Sequence, residues 1–288
     1  MMLMQIPIES LNLMMLNVGR AHHDGDWNWK NVSSPFTRIF YVVQGEAWLH
    51  TKDEALALRP QHLYIIPAYT EHSYSCNGPF AHYYLHIYEG VKSEMNVLEL
   101  FKFPTEVEAD ERDMHIFESM CSRFPDMQLP ASDPSSYDNA MQTSGYVQRY
   151  HDMELWAKME LRGAMLMLFS HFMRQATQRV WAKDERTKRV LTHIHANINR
   201  DLDISELADV ACVTEPHLIR LFKAELGATP LQYINKKKIE RAQLLLYTTD
   251  DTVKEVAYSL GFADHGYFIR LFKKLSGITP QEYRKRLK

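Results

Sequence analysis

The pentapeptide IRLFK occurs twice near the end of this 288-residue chain, at residues 219–223 and again at residues 269–273. Each copy continues into a glycine, a Thr-Pro pair and a tyrosine: Gly227, Thr229, Pro230 and Tyr233 after the first, and Gly277, Thr279, Pro280 and Tyr283 after the second. A repeat with a spacing of about 50 residues indicates two similar supersecondary units in tandem. Because the chain holds only two copies, an extended solenoid is excluded.

Charge divides the chain into two parts. The whole sequence carries a net charge of −3, but residues 186–288 carry +6 and residues 1–185 carry −9. A basic C-terminal part beside an acidic remainder suggests a polyanionic partner for one half only. The length is typical of two domains. The sequence therefore predicts an N-terminal domain over residues 1–180, a linker over 181–187 and a C-terminal domain over 188–288.

The repeated helix has an apolar face and an exposed face. Helical spacing turns the following residues inward: Leu218, Leu221, Phe222 and Leu226 in the first copy, and Phe268, Leu271, Phe272 and Leu275 in the second. The outward residues are Pro216, Ile219, Arg220 and Lys223, and correspondingly Gly266, Ile269, Arg270 and Lys273. In a DNA major groove an Arg bonds guanine, a Lys holds phosphate and an Ile touches a thymine methyl. A surface arginine that is merely solvated is the alternative, and its recurrence at the same register in two copies disfavours it.

Local signals predict the helices around the repeat. Asp203 with Glu206 is typical of a capping box. Thr214 and Asp264 are natural N-caps, and glycine follows each repeated helix as a C-cap. A Thr-Pro pair then starts a long helix over residues 230–247 that joins the two copies. A short helix and a tight turn before each repeated helix predict two helix-turn-helix units, whose second helix enters the groove.

The C-terminal hundred residues resemble the DNA-binding domain of AraC-family transcription regulators. The matching motifs include ISELA from Ile204, LIRLFK from Leu218, Arg241-Ala242, Gly261-Phe262, Tyr267-Phe268 and Tyr283-Arg284. The resemblance implies two helix-turn-helix units that read adjacent major grooves of duplex DNA. Its base-contacting positions fall on Pro216, Ile219 and Arg220, and on His265, Gly266 and Arg270. His217, Lys223, Ile269 and Lys273 complete the candidate DNA-binding set.

Two positions depart from the family pattern. Lys238 replaces a usual Arg in the long helix, and Gly266 has no side chain where the family often has a polar one. Base reading by the second repeated helix is therefore expected to depend on His265 and Arg270.

Residues 12–90 have the composition of β-strands. The segments 36–51, 62–67 and 80–88 are rich in β-branched and aromatic residues and are bounded by turn residues, with Gln44-Gly45 as a turn. The region resembles, more loosely, the cupin-like effector domain of the same regulators, through RIFYVVQGEAWLH (38–50) and LRPQHLYIIPAYTEHSY (58–74). The expected fold is α+β and multidomain: an N-terminal cupin-like β-barrel with dimerisation helices, then an all-α tandem helix-turn-helix domain.

Neither a metal nor another cofactor is predicted in the barrel. Metal-binding cupins combine a His at the position of His72 with a His-x-His and a Glu on the earlier strand, whereas here that strand offers Arg38, Phe40 and Tyr41 and leaves His72 alone. His22-His23 and the pair His82 and His86 are the remaining candidate ligands. Strand alternation puts Tyr83 and its apolar neighbours on one face of segment 80–88, which is expected to face the interior. The pair His82 and His86 is then expected to point outward.

The interior is predicted to bind a small molecule. The candidate effector-binding residues are Trp27, Arg38, His72, Tyr74 and Tyr83. Aromatic rings stack on the C–H faces of sugars and their polar tips meet hydroxyls, so a sugar is favoured, while other small molecules and plain core aromatics stay open. In sugar-responsive members of the family the contacts come from the strand after the Pro…His loop, which maps to Tyr74 and Tyr83.

A stripe at helical spacing runs through residues 152–180. Its members are Leu155, Met159, Met165, Leu166, Phe169, Phe172 and Met173. Two interpretations stay open, a homodimer surface and the core of the N-terminal domain.

The remaining features limit location and function class. The three cysteines lack disulfide or zinc spacing, and no apolar run approaches the ~20 residues that span a bilayer, so a cytoplasmic protein is expected. No catalytic motif is found, and the chain is not expected to be an enzyme. We expect a transcription regulator that binds DNA and a small-molecule effector, with RNA polymerase as a further candidate partner. The alternatives are a regulator whose N-terminal domain only dimerises or binds a protein, and a cupin enzyme fused to a DNA-binding tail.

Overall fold

The computed structural model describes residues 8, 11–90, 97–131, 133, 140–178 and 183–286. Within them the chain forms two units, a sheet-rich unit over Leu11–Gly90 and Val97–Thr177 and a helical unit over Gln178–Arg286. Predictions for residues 1–7, 9, 10, 181, 182, 287 and 288 lie outside the described residues. None of the described helices is long and apolar enough to cross a membrane.

Ten strands lie among the described residues of the first unit and at its C-terminal boundary. They are β1 (Leu13–Asp24), β2 (Thr37–Gly45), β3 (Ala47–Thr51), β4 (Ala55–Leu58), β5 (His62–Ile66), β6 (His72–Ser75), β7 (Pro79–Glu89), β8 (Phe101–Lys102), β9 (Glu106–Glu108) and β10 (Thr177–Gln178). One antiparallel sheet has the order β1-β7-β2-β5-β9 and a second has the order β4-β3-β6. An aromatic-rich core that includes Trp27, Phe40, Tyr64, Tyr74 and Phe80 packs between them. The predicted small barrel is thus formed by two facing sheets.

The turn predicted at Gln44-Gly45 is a corner between the two sheets. Strand β2 pairs with β5 and β7, whereas β3 pairs with β4 and β6, so the two strands do not form a hairpin. Gly45 has φ +79°, and a Cβ there would lie 2.9 Å from Phe80 Cα. A glycine is required because the backbone both turns left-handed and passes close to β7.

Helices cover the outer face of the larger sheet. They are α1 (Val97–Leu100), α2 (Glu111–Arg123), a 3₁₀ turn (Pro125–Met127), α3 (Ala140–Asp152) and α4 (Leu155–Gln175). Helix α2 starts with a capping box between Asp110 and Asp113, and the His171 Nε2 of α4 lies 2.9 Å from Asp113 Oδ1. Phe117 of α2 stacks on Tyr83 of β7 with 5.5 Å between ring centroids. Strand β7 is therefore buried on both faces.

The described residues 183–286 form seven helices in two similar halves. They are α5 (Glu185–Ala196), α6 (Ile204–Ala211), α7 (Glu215–Leu226), α8 (Pro230–Thr248), α9 (Val253–Ser259), α10 (His265–Ser276) and α11 (Pro280–Arg286). The first half packs around Leu218 and Phe222, and the second around Phe268 and Phe272. Helix α8 contributes Tyr233 and Ile234 to the first core, and Ile239, Ala242, Leu245 and Leu246 to the second. The predicted joining helix is confirmed.

The predicted helix ends are largely confirmed. Thr229 forms a capping box with Gln232, and Gly227 and Gly277 end α7 and α10 with φ of +68° and +82°. The capping box predicted for Asp203 and Glu206 is wrong. Asp203 caps α6 through the N–H of Ser205, while Glu206 bonds Arg200 and His193 instead. A guanidinium and an imidazole attract a carboxylate more strongly than a backbone N–H does.

The second half of the predicted linker 181–187 is helical. Asp184 accepts a hydrogen bond from Arg186 N and begins α5 at Glu185, and Thr187 is wholly buried. The segment has the polar composition of a linker, but acidic and capping residues are also favoured at the start of a helix, which is what it forms.

The two halves of the helical unit meet at one backbone junction. Gly261, in the turn after α9, has φ +70°, and a Cβ there would lie 2.5 Å from Arg200 Cα and 2.7 Å from Asp201 N. Lys238 of α8 is buried, donates from Nζ to the Arg200 carbonyl at 2.9 Å, and lies 5.0 Å from the ring centroid of Phe262. Burial lowers the pKa of Lys238. We call this group of residues the junction.

Candidate functional site

Two surfaces carry the predicted functional residues, one in each unit. In the helical unit α7 and α10 each bury an apolar face and present a basic one. Leu218, Phe222, Phe268 and Phe272 are wholly buried. The exposed residues on these helices include Pro216, Arg220, Lys223, Arg270 and Lys273. These five side chains are free to meet an approaching polyanion.

Other members of the candidate DNA-binding set lie nearer the core. His217, Ile219, His265, Gly266 and Ile269 are only partly exposed, and Ile269 packs against the second core. Leu275 was expected to be inward but is 47% exposed, because the last turn of α10 extends past the buried cluster. Ile269 therefore has a packing role in addition to any contact with DNA.

The sequence interpretation left Tyr267 out of the candidate DNA-binding set. Its ring is 42% exposed on α10, and its hydroxyl accepts a hydrogen bond from Asn235 Nδ2 of α8 at 3.4 Å. The first repeat has His217 at the equivalent position. This difference between the two copies was the signal that could have drawn attention to Tyr267.

The start of α10 has a tightly bonded first turn. The Asp264 carboxylate accepts the N–H of Tyr267, which caps the helix. A Cβ placed on Gly266 would lie 3.1 Å from Asp264 Oδ1 and 3.4 Å from Arg270 Nη1. The Arg270 guanidinium thus folds back along the helix over Gly266.

The second surface is a pocket inside the barrel. It is lined by Ala21, Trp27, Phe40, His82, Tyr84, His86 and Leu129, and its enclosed volume of about 20 Å³ is roughly that of one water-sized ligand. Residues directly opposite each other in a sheet share a face. Ala21 lies opposite His82, and Phe40 lies opposite Tyr84. The small Ala21 leaves room for the imidazole across from it.

The orientation predicted for strand 80–88 is wrong. His82 and His86 are 3% and 1% exposed and face the barrel interior, whereas Tyr83 faces outward against Phe117 of α2. The apolar face was expected to face the barrel interior, but helices cover the outer face of this strand, so both faces are buried. The polar alternation His82-Tyr84-His86 was the signal for the pocket.

Four of the five candidate effector residues lie at the interior. Trp27 lines the pocket and stacks on Tyr74, with 4.0 Å between ring centroids. Tyr74 shares a hydrogen bond of 2.8 Å with His72 Nε2, and Arg38 lies opposite His86 in the sheet. Only Tyr83 lies on the other side of the sheet.

The imidazoles of the pocket are neutral at pH 7. Burial lowers the pKa of His82 well below its usual value, and nearby His23 and His22 lower it further. The pKa of His86 is lowered well below its usual value by burial and by Arg38. His82 Nδ1 is buried and has no hydrogen-bond partner among the described residues. A neutral imidazole provides one donor and one acceptor, so the pocket offers polar partners in an apolar setting.

No group of three or more His, Cys, Asp or Glu side chains that can hold a metal ion occurs among the described residues.

Two family models match the chain. One, described as an AraC-like ligand binding domain, matches residues 18–132. The other, described as a helix-turn-helix domain, matches residues 207–286.

Several proteins are similar to this chain. YfiF, an uncharacterized HTH-type transcriptional regulator of Bacillus subtilis (strain 168), is 25% identical over 256 residues, which span 86% of this chain and 76% of YfiF. The HTH-type transcriptional regulator SAS0078 of Staphylococcus aureus (strain MSSA476) is 28% identical over 138 residues, 47% of this chain but only 18% of that longer protein. The C-terminal domain of the response regulator yesN from Fusobacterium nucleatum, known from a crystal structure, is 31% identical in sequence to this chain. The match covers 35% of this chain and 99% of the yesN domain, with a TM-score of 0.34.

Proposed function

The chain belongs to the AraC family of transcription regulators, and from this premise we propose that α7 and α10 are its two recognition helices. The observation that supports this is the exposure of Arg220, Lys223, Arg270 and Lys273 at equivalent positions of two similar halves. We propose that each helix enters one of two successive major grooves on the same side of a duplex, about one turn apart. His265 and the arginines then contact bases, and the lysines contact phosphates.

Removing an arginine and removing a lysine are expected to have different effects. Arg220→Ala or Arg270→Ala should each cost about 1–3 kcal/mol of binding free energy and relax the preference at one base pair. Lys223→Ala should weaken binding to all sequences alike and reduce the salt slope by about one. The measurement is the affinity of the full chain for duplexes selected from a random library, at several salt concentrations.

Lys102→Ala, which removes an exposed positive charge from the sheet-rich unit, is the matched control and should leave DNA affinity unchanged. Equal losses on every sequence from Arg220→Ala, Arg270→Ala and Lys223→Ala would contradict base reading by the arginines.

We propose that the barrel pocket binds an uncharged small-molecule effector. The support is a lining of ring faces with two neutral imidazoles and the Tyr84 hydroxyl, and with no carboxylate. A sugar is the class that the sequence favours, since the imidazoles can meet its hydroxyls and the Trp27, Phe40 and Tyr84 rings of the lining can contact its C–H groups. The enclosed space of about 20 Å³ is smaller than a monosaccharide, so binding of a sugar requires the lining side chains to move apart.

His82→Phe is expected to weaken effector binding at least about tenfold, because it removes the buried imidazole nitrogens at nearly constant ring size. Tyr83→Phe is the control: its hydroxyl, 3.5 Å from Glu118 on the outer face, is not part of the pocket. A thermal-shift screen of monosaccharides and other small neutral molecules identifies the ligand, and titration calorimetry compares the variants. Loss of binding in Tyr83→Phe but not in His82→Phe would contradict the pocket assignment.

Regulation requires that the effector distinguish two states of the chain. A tenfold change in DNA affinity corresponds to about 1.4 kcal/mol of coupling, and linkage requires DNA to change the effector's affinity by the same factor. An effector affinity that saturating DNA leaves unaltered would exclude allosteric control through this pocket.

We propose that a second copy of the chain packs on helix α4. The predicted stripe divides in two: Met165, Phe169 and Phe172 are core residues, while Leu155 and Met159 are 71% and 65% exposed. The exposed part continues through residues that share one side of the helix: Trp156, Met159, Gly163 and Met167. Nothing lies within 4 Å of a Cβ added at Gly163, so a second helix can approach closely there. A dimer would join two DNA-binding units and raise avidity.

Met159→Glu is expected to give a folded monomer with weaker binding to a two-site duplex. Met165→Glu is the matched control, which should unfold the sheet-rich unit because it buries an unpaired charge. Analytical ultracentrifugation measures the mass and circular dichroism the fold. A wild-type protein that is monomeric at micromolar concentration would contradict this proposal.

A regulator of transcription acts where the chromosome is, so we also propose a cytoplasmic location, with RNA polymerase as a further candidate partner. Co-purification of polymerase with the DNA-bound protein tests the second point, and cell fractionation tests the first. No enzymatic role is proposed.

A further inference from the structure

The two recognition helices differ at their second residue. Helix α7 carries Pro216 there, and α10 carries Gly266, although the residues four positions later are Arg220 and Arg270. The pyrrolidine ring of Pro216 is exposed. At Gly266 the corresponding space lies beside the Arg270 guanidinium, whose Nη1 is 3.4 Å from the position of an added Cβ.

Helix geometry explains this difference. Side chains of an α-helix lean toward its N-terminus, so the residue at i+4 lies over the residue at i. Where residue i is a glycine, a long side chain at i+4 can lie against the backbone of the first turn. Where residue i is a proline, its ring occupies that space and holds the arginine away from the helix start.

We infer that Gly266 is a specificity-determining residue, because it sets which base pair Arg270 reaches. The inference rests on the proposed DNA-reading role of α10. Base pairs are spaced 3.4 Å apart, whereas one helical turn is 5.4 Å long. A guanidinium that lies back by much of a turn therefore meets a different base pair. Arg270 reads nearer the N-terminal end of its helix than Arg220 does, and the two halves of the operator are read in different registers despite the repeated IRLFK sequence.

The reciprocal exchange Gly266→Pro and Pro216→Gly tests this inference in the full chain. Proline is tolerated in the first turn of a helix, where the N–H makes no intrahelical bond, and the first repeat already carries it there. Each protein selects duplexes from a random library. The readout is the base-pair position whose preference disappears when Arg270→Ala, or Arg220→Ala, is added.

In Gly266→Pro the Arg270-dependent preference is expected to move to a neighbouring base pair or to fall at least about tenfold. In Pro216→Gly the Arg220-dependent preference should move toward the start of α7. Gly266→Ala adds only a Cβ, at 3.4 Å from Arg270 Nη1 and 3.1 Å from Asp264 Oδ1, and is expected to shift the Arg270-dependent preference less than Gly266→Pro does. Lys102→Ala, in the sheet-rich unit, is the control whose base preference should stay within about threefold of wild type.

An Arg270-dependent preference that stays in place at full strength in Gly266→Pro would overturn the inference. Should that variant fail to fold by circular dichroism, Gly266→Gln, which fills the same space without a proline, decides in its place by the same criterion. Failure of the proposed function gives a different result. In that case Arg270→Ala leaves every base preference of the wild-type protein intact, or the wild-type protein selects no duplex.

Discussion

Lowering the pH from 7.5 to 5.0 is expected to destabilise the sheet-rich unit by several kcal/mol and to leave the helical unit much less affected. Four histidines, His23, His72, His82 and His86, are buried in the sheet-rich unit with 6% exposure or less. No histidine between residues 183 and 286 is buried to that degree in the described structure. The prediction therefore depends on what burial does to an imidazole.

The pKa of each of the four histidines is lowered in the fold. Burial is the largest cause in every case, and it brings the pKa of His72 to about 4. Arg38 lowers the pKa of His72 and His86 further, whereas Asp26 acts in the opposite direction on His23. No other carboxylate is among the causes that raise the pKa of these four rings.

The sign of the effect follows from linkage. Well above pH 6.5 the rings are neutral in both the folded and the unfolded state, and the pH has no effect on stability through them. Below pH 6.5 the unfolded chain takes up protons that the fold excludes, so stability falls by up to about 1.4 kcal/mol per pH unit for each ring. At pH 5.0 a ring with a native pKa of about 4, as His72 has, costs roughly 2 kcal/mol of stability. His82 and His86, whose pKa is also lowered well below the usual value, add to this loss.

Urea unfolding at the two pH values measures this effect. Four of the five tryptophans, at positions 27, 29, 48 and 156, belong to the sheet-rich unit, so fluorescence in a Trp181→Phe background follows that unit, while circular dichroism also follows the helical unit. His82→Phe should reduce the pH dependence by one ring's share, and His115→Gln, at a side chain that is 66% exposed, should not change it. Equal stability of the sheet-rich unit at pH 7.5 and 5.0 would contradict the prediction.

Sequence patterns predicted the helical unit better than the barrel for a physical reason. Helices α7 and α10 are each covered on one side, so the helical spacing of Leu218 and Phe222 marks the core directly. Strand β7 is covered on both sides, by the second sheet and by α2, and alternation then no longer tells inside from outside. For this reason the sequence prediction placed Tyr83 inside and His82 outside, the reverse of the structure.

The stripe on α4 shows the same limit. Met159 and Met165 fit one helical pattern, yet the first is exposed and the second is core. A pattern of apolar residues cannot say whether the covering surface belongs to the same chain. The short distance between Gly266 and the Arg270 guanidinium likewise depends on a side-chain conformation that the sequence does not show.

Gly261→Ala is expected to destabilise the helical unit by at least about 3 kcal/mol and to abolish specific DNA binding. The alanine would hold a left-handed backbone at φ +70°, which costs about 1–2 kcal/mol. Its Cβ would also lie 2.5 Å from Arg200 Cα and 2.7 Å from Asp201 N. These are backbone atoms, so relief requires that the two halves move apart rather than that a side chain rotate.

The junction makes this separation costly. The Arg200 carbonyl accepts the Lys238 Nζ at 2.9 Å, and the Lys238 side chain also packs on Phe262, the residue after Gly261. Displacing Arg200 breaks this hydrogen bond and leaves a buried ammonium unpaired, a loss that adds to the backbone overlap. Because α7 and α10 belong to different halves, a shift at the junction also changes the distance between the two recognition helices.

Gly227→Ala measures the cost of the left-handed backbone conformation without the steric overlap that occurs at Gly261. Gly227 has φ +68°, nearly that of Gly261, but nothing lies within 4 Å of a Cβ added there. This control should cost only the left-handed penalty of about 1 kcal/mol and keep both the fold and DNA binding. Urea unfolding followed by circular dichroism, and binding to a selected duplex, compare the two variants. Similar losses in both would mean that the backbone conformation alone matters, and that the junction does not fix the spacing of the recognition helices.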